Sequence, residues 1–133
     1  MEALLHNQAS EIPRVHEALD QFAAEQGLSG AYMSRLHLAL EEHLTNVICY
    51  GYDTGESGTV RVRLSLERPI LRIEIEDDGK PFNPVEAPVV DTTLPLDTKP
   101  LGGLGLLMIR KSVDELEYRR VANRNVLTIK KRV

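Results

Sequence analysis

The sequence holds a single cysteine, Cys49, no tryptophan, and aromatic residues at only 5%. One cysteine excludes an internal disulfide and any cysteine-based zinc cluster, and it fits a reducing compartment. No apolar run approaches the length of a membrane span, and the N-terminal stretch has neither the basic start nor the apolar core of a signal peptide. The expected location is therefore the cytoplasm, with no membrane partner. An excess of positive charge is missing too: 16 Lys+Arg stand against 20 Asp+Glu, a net charge of -4, so no direct nucleic-acid partner is expected. What is present suffices for one compact core. The chain of 133 residues fits a single domain, 1–133, and 42% hydrophobic residues build its interior without disulfides.

The apolar residues change period along the chain. Ile12, Val15, Leu19, Phe22 and Ala23 form a helical stripe, with Pro13 in the first turn and Gly27 just past the end. A second helix is expected from a Ser29 cap to about Tyr50, with Leu36, Leu40, Leu44, Val47 and Ile48 inward and Gly51 as its stop. Cys49 is expected as a small buried hydrophobe on it. From Val60 the period drops to two: Val60, Val62, Leu64 and Leu66, then Leu71, Ile73 and Ile75, alternate with polar residues as two strands joined at Glu67-Arg68-Pro69. A proline-rich stretch over 80–100 is expected as a potential lid, and a short apolar helix from Leu106 to Ser112 follows. The end reads as a hairpin, with Leu116, Tyr118 and Arg120 on one strand, Asn123-Arg124-Asn125 as the turn, and Val126–Lys130 as the return. The expected fold class is α+β, a two-layer sandwich with helices on one face of a mostly antiparallel sheet.

Three groups of residues can carry chemistry. Glu42 and Asn46 lie one turn apart on the second helix and share a face, so both can reach one ligand. An amide oxygen can ligate Mg2+, and a carboxylate can deprotonate a nucleophile. Asp77-Asp78-Gly79 closes the second strand. A carboxylate fixed there can accept a hydrogen bond from an exocyclic amine, and Gly79 lets a flat ring approach the backbone. Gly102-Gly103-Leu104-Gly105 precedes a helix, where free amide N–H groups and the helix dipole can converge on phosphate. Each group alone also has an ordinary reading: a polar helix edge, an Asp-Gly turn, a loop before a helix. The four histidines, His6, His16, His37 and His43, show no metal-ligand spacing, and the basic residues of the last strands read as a solvated face.

In this order the groups resemble a known family, the GHKL or Bergerat-fold ATPases, and within it the bacterial anti-sigma factor serine kinases. Glu42-His43-Leu44-Thr45-Asn46 is similar to the family's N box, Asp77-Asp78-Gly79-Lys80-Pro81-Phe82 to its first glycine box, and Gly103-Leu104-Gly105-Leu106 to its second. Asp114–Tyr118 and Asn125–Ile129 also look like that subgroup. The resemblance implies the Bergerat ATP-binding fold, with ATP and Mg2+ as cofactors. It implies Glu42 as the general base, Asn46 as a Mg2+ ligand, Asp77 on the adenine amine with Gly79 beside the ring, and Gly103, Leu104 and Gly105 around the phosphates. The implied acceptor is a serine on an anti-sigma factor antagonist protein, with a sigma factor as the competing partner and a homodimer as the family's assembly. The implied activity is that of an ATP-dependent protein serine/threonine kinase. Two alternatives use the same pocket: a non-catalytic nucleotide-responsive switch, and a detached histidine-kinase catalytic domain. Tyr50 stands where many of these kinases carry histidine, which puts any contact made there in question.

Overall fold

The computed structural model describes residues 1–85 and 109–133. The order is β1 (Glu2–His6), a 3-10 turn (Ala9–Glu11), α1 (Ile12–Gln26), α2 (Tyr32–Tyr50), β2 (Thr59–Glu67), β3 (Ile70–Asp77), β4 (Glu115–Val121) and β5 (Arg124–Arg132). Residues 109–112 are also helical. The five strands form one sheet in the order β1-β2-β3-β5-β4, and every neighbouring pair is antiparallel.

Period two sorts the sheet into two faces. Val60, Val62 and Leu64, Leu71, Ile73 and Ile75, and Leu127 and Ile129 are buried, and they form one core with Val15, Leu19, Leu36, Leu40 and Leu44 of the helices. The alternate residues pair as charges on the other face: Arg63 reaches Glu2 at 3.1 Å and Glu74 at 3.4 Å, and Lys130 reaches Glu115 and Glu117 at 3.3 Å. This is the expected two-layer arrangement. Gly27 ends α1 in the left-handed region at φ 69°, and the Leu28 N–H returns to the Ala23 carbonyl at 2.8 Å.

The structure corrects four local expectations. β1, absent from the sequence reading, adds an edge strand whose Leu5 is 1% exposed. Ser29 does not cap α2: the helix starts at Tyr32 behind Ala31, with no side-chain cap hydrogen bond. Cys49 is exposed, because the apolar stripe of α2 turns away from it between Val47 and the C-terminus. The final turn is Ala122-Asn123, both at positive φ (51° and 62°), a two-residue hairpin connection matching the strand twist; Asn125 therefore lies inside β5. Part of the Leu106–Ser112 helix and most of the proline-rich stretch fall outside the described residues.

His16 of α1 and His37 of α2 meet at 2.8 Å between Nδ1 atoms, and their outer nitrogens reach Glu41 and Asp20, each at 2.7 Å. The two histidines thus tie the helices together. No group of three or more metal-ligating side chains occurs among the described residues.

Candidate functional site

Two alternations meet at one end of the sheet. On β3 the inward series Leu71, Ile73, Ile75 continues to Asp77, and on β5 the inward series Ile129, Leu127 continues back to Asn125. Asp77 and Asn125 are direct cross-strand partners, both buried where the chain leaves the core. On α2 the residues His43, Asn46, Val47 and Tyr50 follow helical spacing and face them. Between these surfaces lies a cavity of about 280 Å³, closed on a third side by Lys80, Pro81 and Phe82, at the small end of the range for small-molecule sites. A larger hollow of about 570 Å³ lies elsewhere, over Ser65, Arg72 and Lys130 on the charged face. It is lined mainly by charged side chains, some of them paired with one another, as Lys130 is with Glu115, and it lies apart from Asn46 and Asp77.

The turn after β3 is held from several directions. The Gly79 N–H donates to Asp77 Oδ1 at 2.9 Å, and the Lys80 N–H donates to the Gly51 carbonyl at 2.9 Å, joining the turn to the end of α2. A Cβ on Gly79 would lie 2.8 Å from the Gly51 carbonyl oxygen, so only glycine permits this approach. Arg120 of β4 donates to the Gly79 carbonyl at 2.8 Å. The neighbouring Asp78 faces away and accepts from the Tyr52 hydroxyl at 2.6 Å and the Thr59 N–H at 3.0 Å. Its carboxylate has a lowered pKa: partial burial pushes upward, and those two hydrogen bonds, its own backbone N–H and the Arg124 charge together outweigh it.

Burial raises the pKa of Asp77, and the hydrogen bonds from Asn125 and Gly79 oppose the rise. His43 is desolvated to a pKa of about 4, so it is neutral at pH 7. Two buried polar atoms of cavity-lining residues, His43 Nδ1 and Asn46 Nδ2, have no hydrogen-bond partner among the described residues. Asp77 Oδ2 likewise has none among the described residues, since both of its carboxylate's bonds end on Oδ1. One acceptor and two nitrogens without partners among the described residues give the cavity the chemistry to hold a polar ligand.

The model of the histidine kinase-like ATPase domain matches residues 5–131, nearly the whole chain. The chain belongs to the histidine kinase-like ATPase domain family. It is 26% identical over 111 residues to the serine/threonine-protein kinase BtrW of Bordetella bronchiseptica, covering 84% of this chain and 78% of that protein. It is 28% identical over 114 residues to the anti-sigma F factor of Bacillus cereus, covering 84% and 75%. Among solved structures, it is similar to the RsbU and RsbW domains of a Mycobacterium tuberculosis protein, with a TM-score of 0.63 and 20% identity over 98% of this chain. It is also similar to the histidine kinase domain of a blue-light activated kinase from Erythrobacter litoralis EL346, with a TM-score of 0.58 and 21% identity over 93% of this chain. The chain spans 32% and 60% of those two structures, and at these identities the likeness is one of fold.

Within this ATPase-family domain, the residues singled out from sequence fall into three groups. Asn46 and Asp77 face each other across the cavity. Gly79 stands directly behind Asp77, and half-buried Glu42 lies one turn before Asn46; neither belongs to the cavity lining, and Glu42 makes no hydrogen bond or ion pair with the described residues. Gly103, Leu104 and Gly105 lie outside the described residues. Tyr50 lines the cavity, and so do His43 and Asn125, to which sequence reasoning assigned no function. The signal for Asn125 was the inward period of β5, extended one step beyond Leu127.

Proposed function

We propose that this ATPase-family domain binds Mg-ATP and transfers the γ-phosphoryl group to a serine of an anti-sigma factor antagonist protein, controlling release of a sigma factor in the cytoplasm. The observation that carries the proposal is the placement, on one cavity, of an Asp77 carboxylate oxygen and an Asn46 amide nitrogen that both lack a partner among the described residues. An exocyclic amine supplies the donor that Asp77 Oδ2 lacks, and Gly79 lets the turn pack against Gly51 while its N–H holds the other carboxylate oxygen. A half turn of the Asn46 amide presents its oxygen, a ligand type that Mg2+ accepts. Mg2+ takes few ligands from protein when phosphates and water complete its octahedron, so a single amide fits it where no cluster of three acidic or histidine ligands occurs among the described residues. When bound, Mg2+ neutralises phosphate charge and aligns the reacting phosphoryl group.

Glu42 is the base in this proposal. It takes the proton of the serine hydroxyl as the oxygen bonds to the γ-phosphorus and the bond to the bridging oxygen of ADP breaks. A carboxylate without a partner among the described residues is free for that proton. Gly103, Leu104 and Gly105 are proposed to hold phosphates through their N–H groups. The relatives named as a serine/threonine-protein kinase and an anti-sigma F factor support the choice of reaction and partners. Glu42 standing outside the cavity lining favours a second reading, a nucleotide-responsive switch without catalysis. Glu42→Gln separates the two. For a kinase, phosphoryl transfer falls by about 10²–10⁴-fold while the nucleotide dissociation constant is unchanged; for a switch, nucleotide-dependent partner release is the same in both proteins.

A further inference from the structure

Asn125 has two amide hydrogens and two carbonyl lone pairs, and all four are used inside the protein. Nδ2 donates to Asp77 Oδ1 at 2.9 Å and to the Lys80 carbonyl at 2.8 Å. Oδ1 accepts from the Tyr118 hydroxyl at 2.5 Å and from the Phe82 N–H at 3.3 Å. The residue lines the cavity and is 5% exposed, yet it has nothing left to offer a ligand. Its influence on a ligand is indirect, through Lys80 and Phe82 of the wall, which it anchors, and through the Asp77 carboxylate, which alone of the three can distinguish an amine from an oxo group. Together with the Gly79 N–H, Asn125 saturates one carboxylate oxygen, while the other has no partner among the described residues.

We infer that Asn125 is a positioning residue that keeps Asp77 a hydrogen-bond acceptor, so that the site selects a purine nucleotide bearing an exocyclic amine over one bearing an oxo group at the same position. The inference rests on the proposed nucleotide site. An ionised carboxylate only accepts, whereas a protonated one can donate to an oxo group. Burial favours the protonated acid, and the two N–H donors on Oδ1 oppose it. Loss of Asn125 removes one of those donors, so discrimination between amine and oxo becomes sensitive to pH.

The other groups around Asp77 hold their charge over the relevant range. Asp78 follows it in the turn with a lowered pKa, and Arg120 of β4 reaches the same turn as a cation. Tyr52 is kept neutral by burial and its bond to Asp78, and His43 of α2 is neutral down to about 4. Lys80 is turned outward to Asp53 at 2.5 Å.

The test compares dissociation constants of ATP and ITP, which carry an amine and an oxo group at the same purine position. Both are titrated with Mg2+ into the full chain, as wild type, Asn125→Ala and Asn125→Asp, from about pH 5.5 to 8. The wild type is expected to favour ATP by roughly tenfold or more, with a ratio that stays flat. In Asn125→Ala the ratio falls toward one on acidification. In Asn125→Asp, which fills the same volume without amide donors and shares a proton with Asp77, it is lost already near neutrality. The aspartate variant carries the test where the alanine variant does not fold. A ratio in the variants equal to wild type at every pH, with both affinities lowered alike, makes Asn125 merely structural and overturns the inference. Equal binding of both nucleotides by wild type overturns it and leaves the nucleotide site standing; binding of neither by wild type overturns both.

Discussion

His43 is 2% exposed and neutral, with its protonation pushed from 6.5 down to about 4 by burial. Between those values the unfolded chain takes up a proton that the folded chain refuses, so stability falls as pH falls through that window. At 1.36 kcal/mol per unit the loss is on the order of 3 kcal/mol. Asp77 acts with the opposite sign: its raised pKa lets the folded state take a proton first, so acidification returns stability. Urea unfolding at pH 7 and near pH 4.5 should therefore show wild type losing more stability than His43→Leu, by up to about 3 kcal/mol. Equal losses would mean that His43 is not held neutral. Legibility at this scale was uneven for physical reasons. Asp77 and Asn46 stood out because a strand-end Asp-x-Gly and a helical Glu-x-x-x-Asn are compact patterns. Asn125 was hidden because Asn-Arg-Asn has the composition of a turn, while the chain turns at Ala122-Asn123 instead. Cys49 was misplaced because the last turn of its helix, Val47-Ile48-Cys49-Tyr50, is apolar in composition, while Cys49 and Tyr50 stand on its exposed side.

At the scale of elements, β2, β3 and α1 were readable from period and punctuation, since each presents one wet and one dry face. β1 was not. Its five residues, Glu2-Ala3-Leu4-Leu5-His6, place two leucines side by side, which masks the alternation of a strand. Pairing with β2 sends Leu5 into the core at 1% exposure and leaves Leu4 53% exposed. Leu5→Ala should cost about 2–5 kcal/mol in denaturant unfolding, and Leu4→Lys should stay within about 0.5 kcal/mol. Similar costs for the two would contradict the register of β1. The start of α2 was also misread, because no side chain caps it.

At the scale of the molecule, one face of the sheet carries the core and helices, and the other a ladder of paired charges. The cavity forms at the edge of the buried face, where three elements bring their last inward residues together: Asn46 from α2, Asp77 from β3 and Asn125 from β5. This convergence could not be read from any one segment, since cross-strand partners 48 residues apart meet only after folding. The central claim is that the cavity holds a nucleotide with Mg2+. The most direct measurement is unfolding of the full chain with and without ATP, each in Mg2+ and in EDTA. At 100 times its dissociation constant, ATP should add about 2.7 kcal/mol in Mg2+, less in EDTA, and little in Asn46→Ala or Asp77→Asn. No added stability at millimolar ATP in Mg2+ would contradict the account.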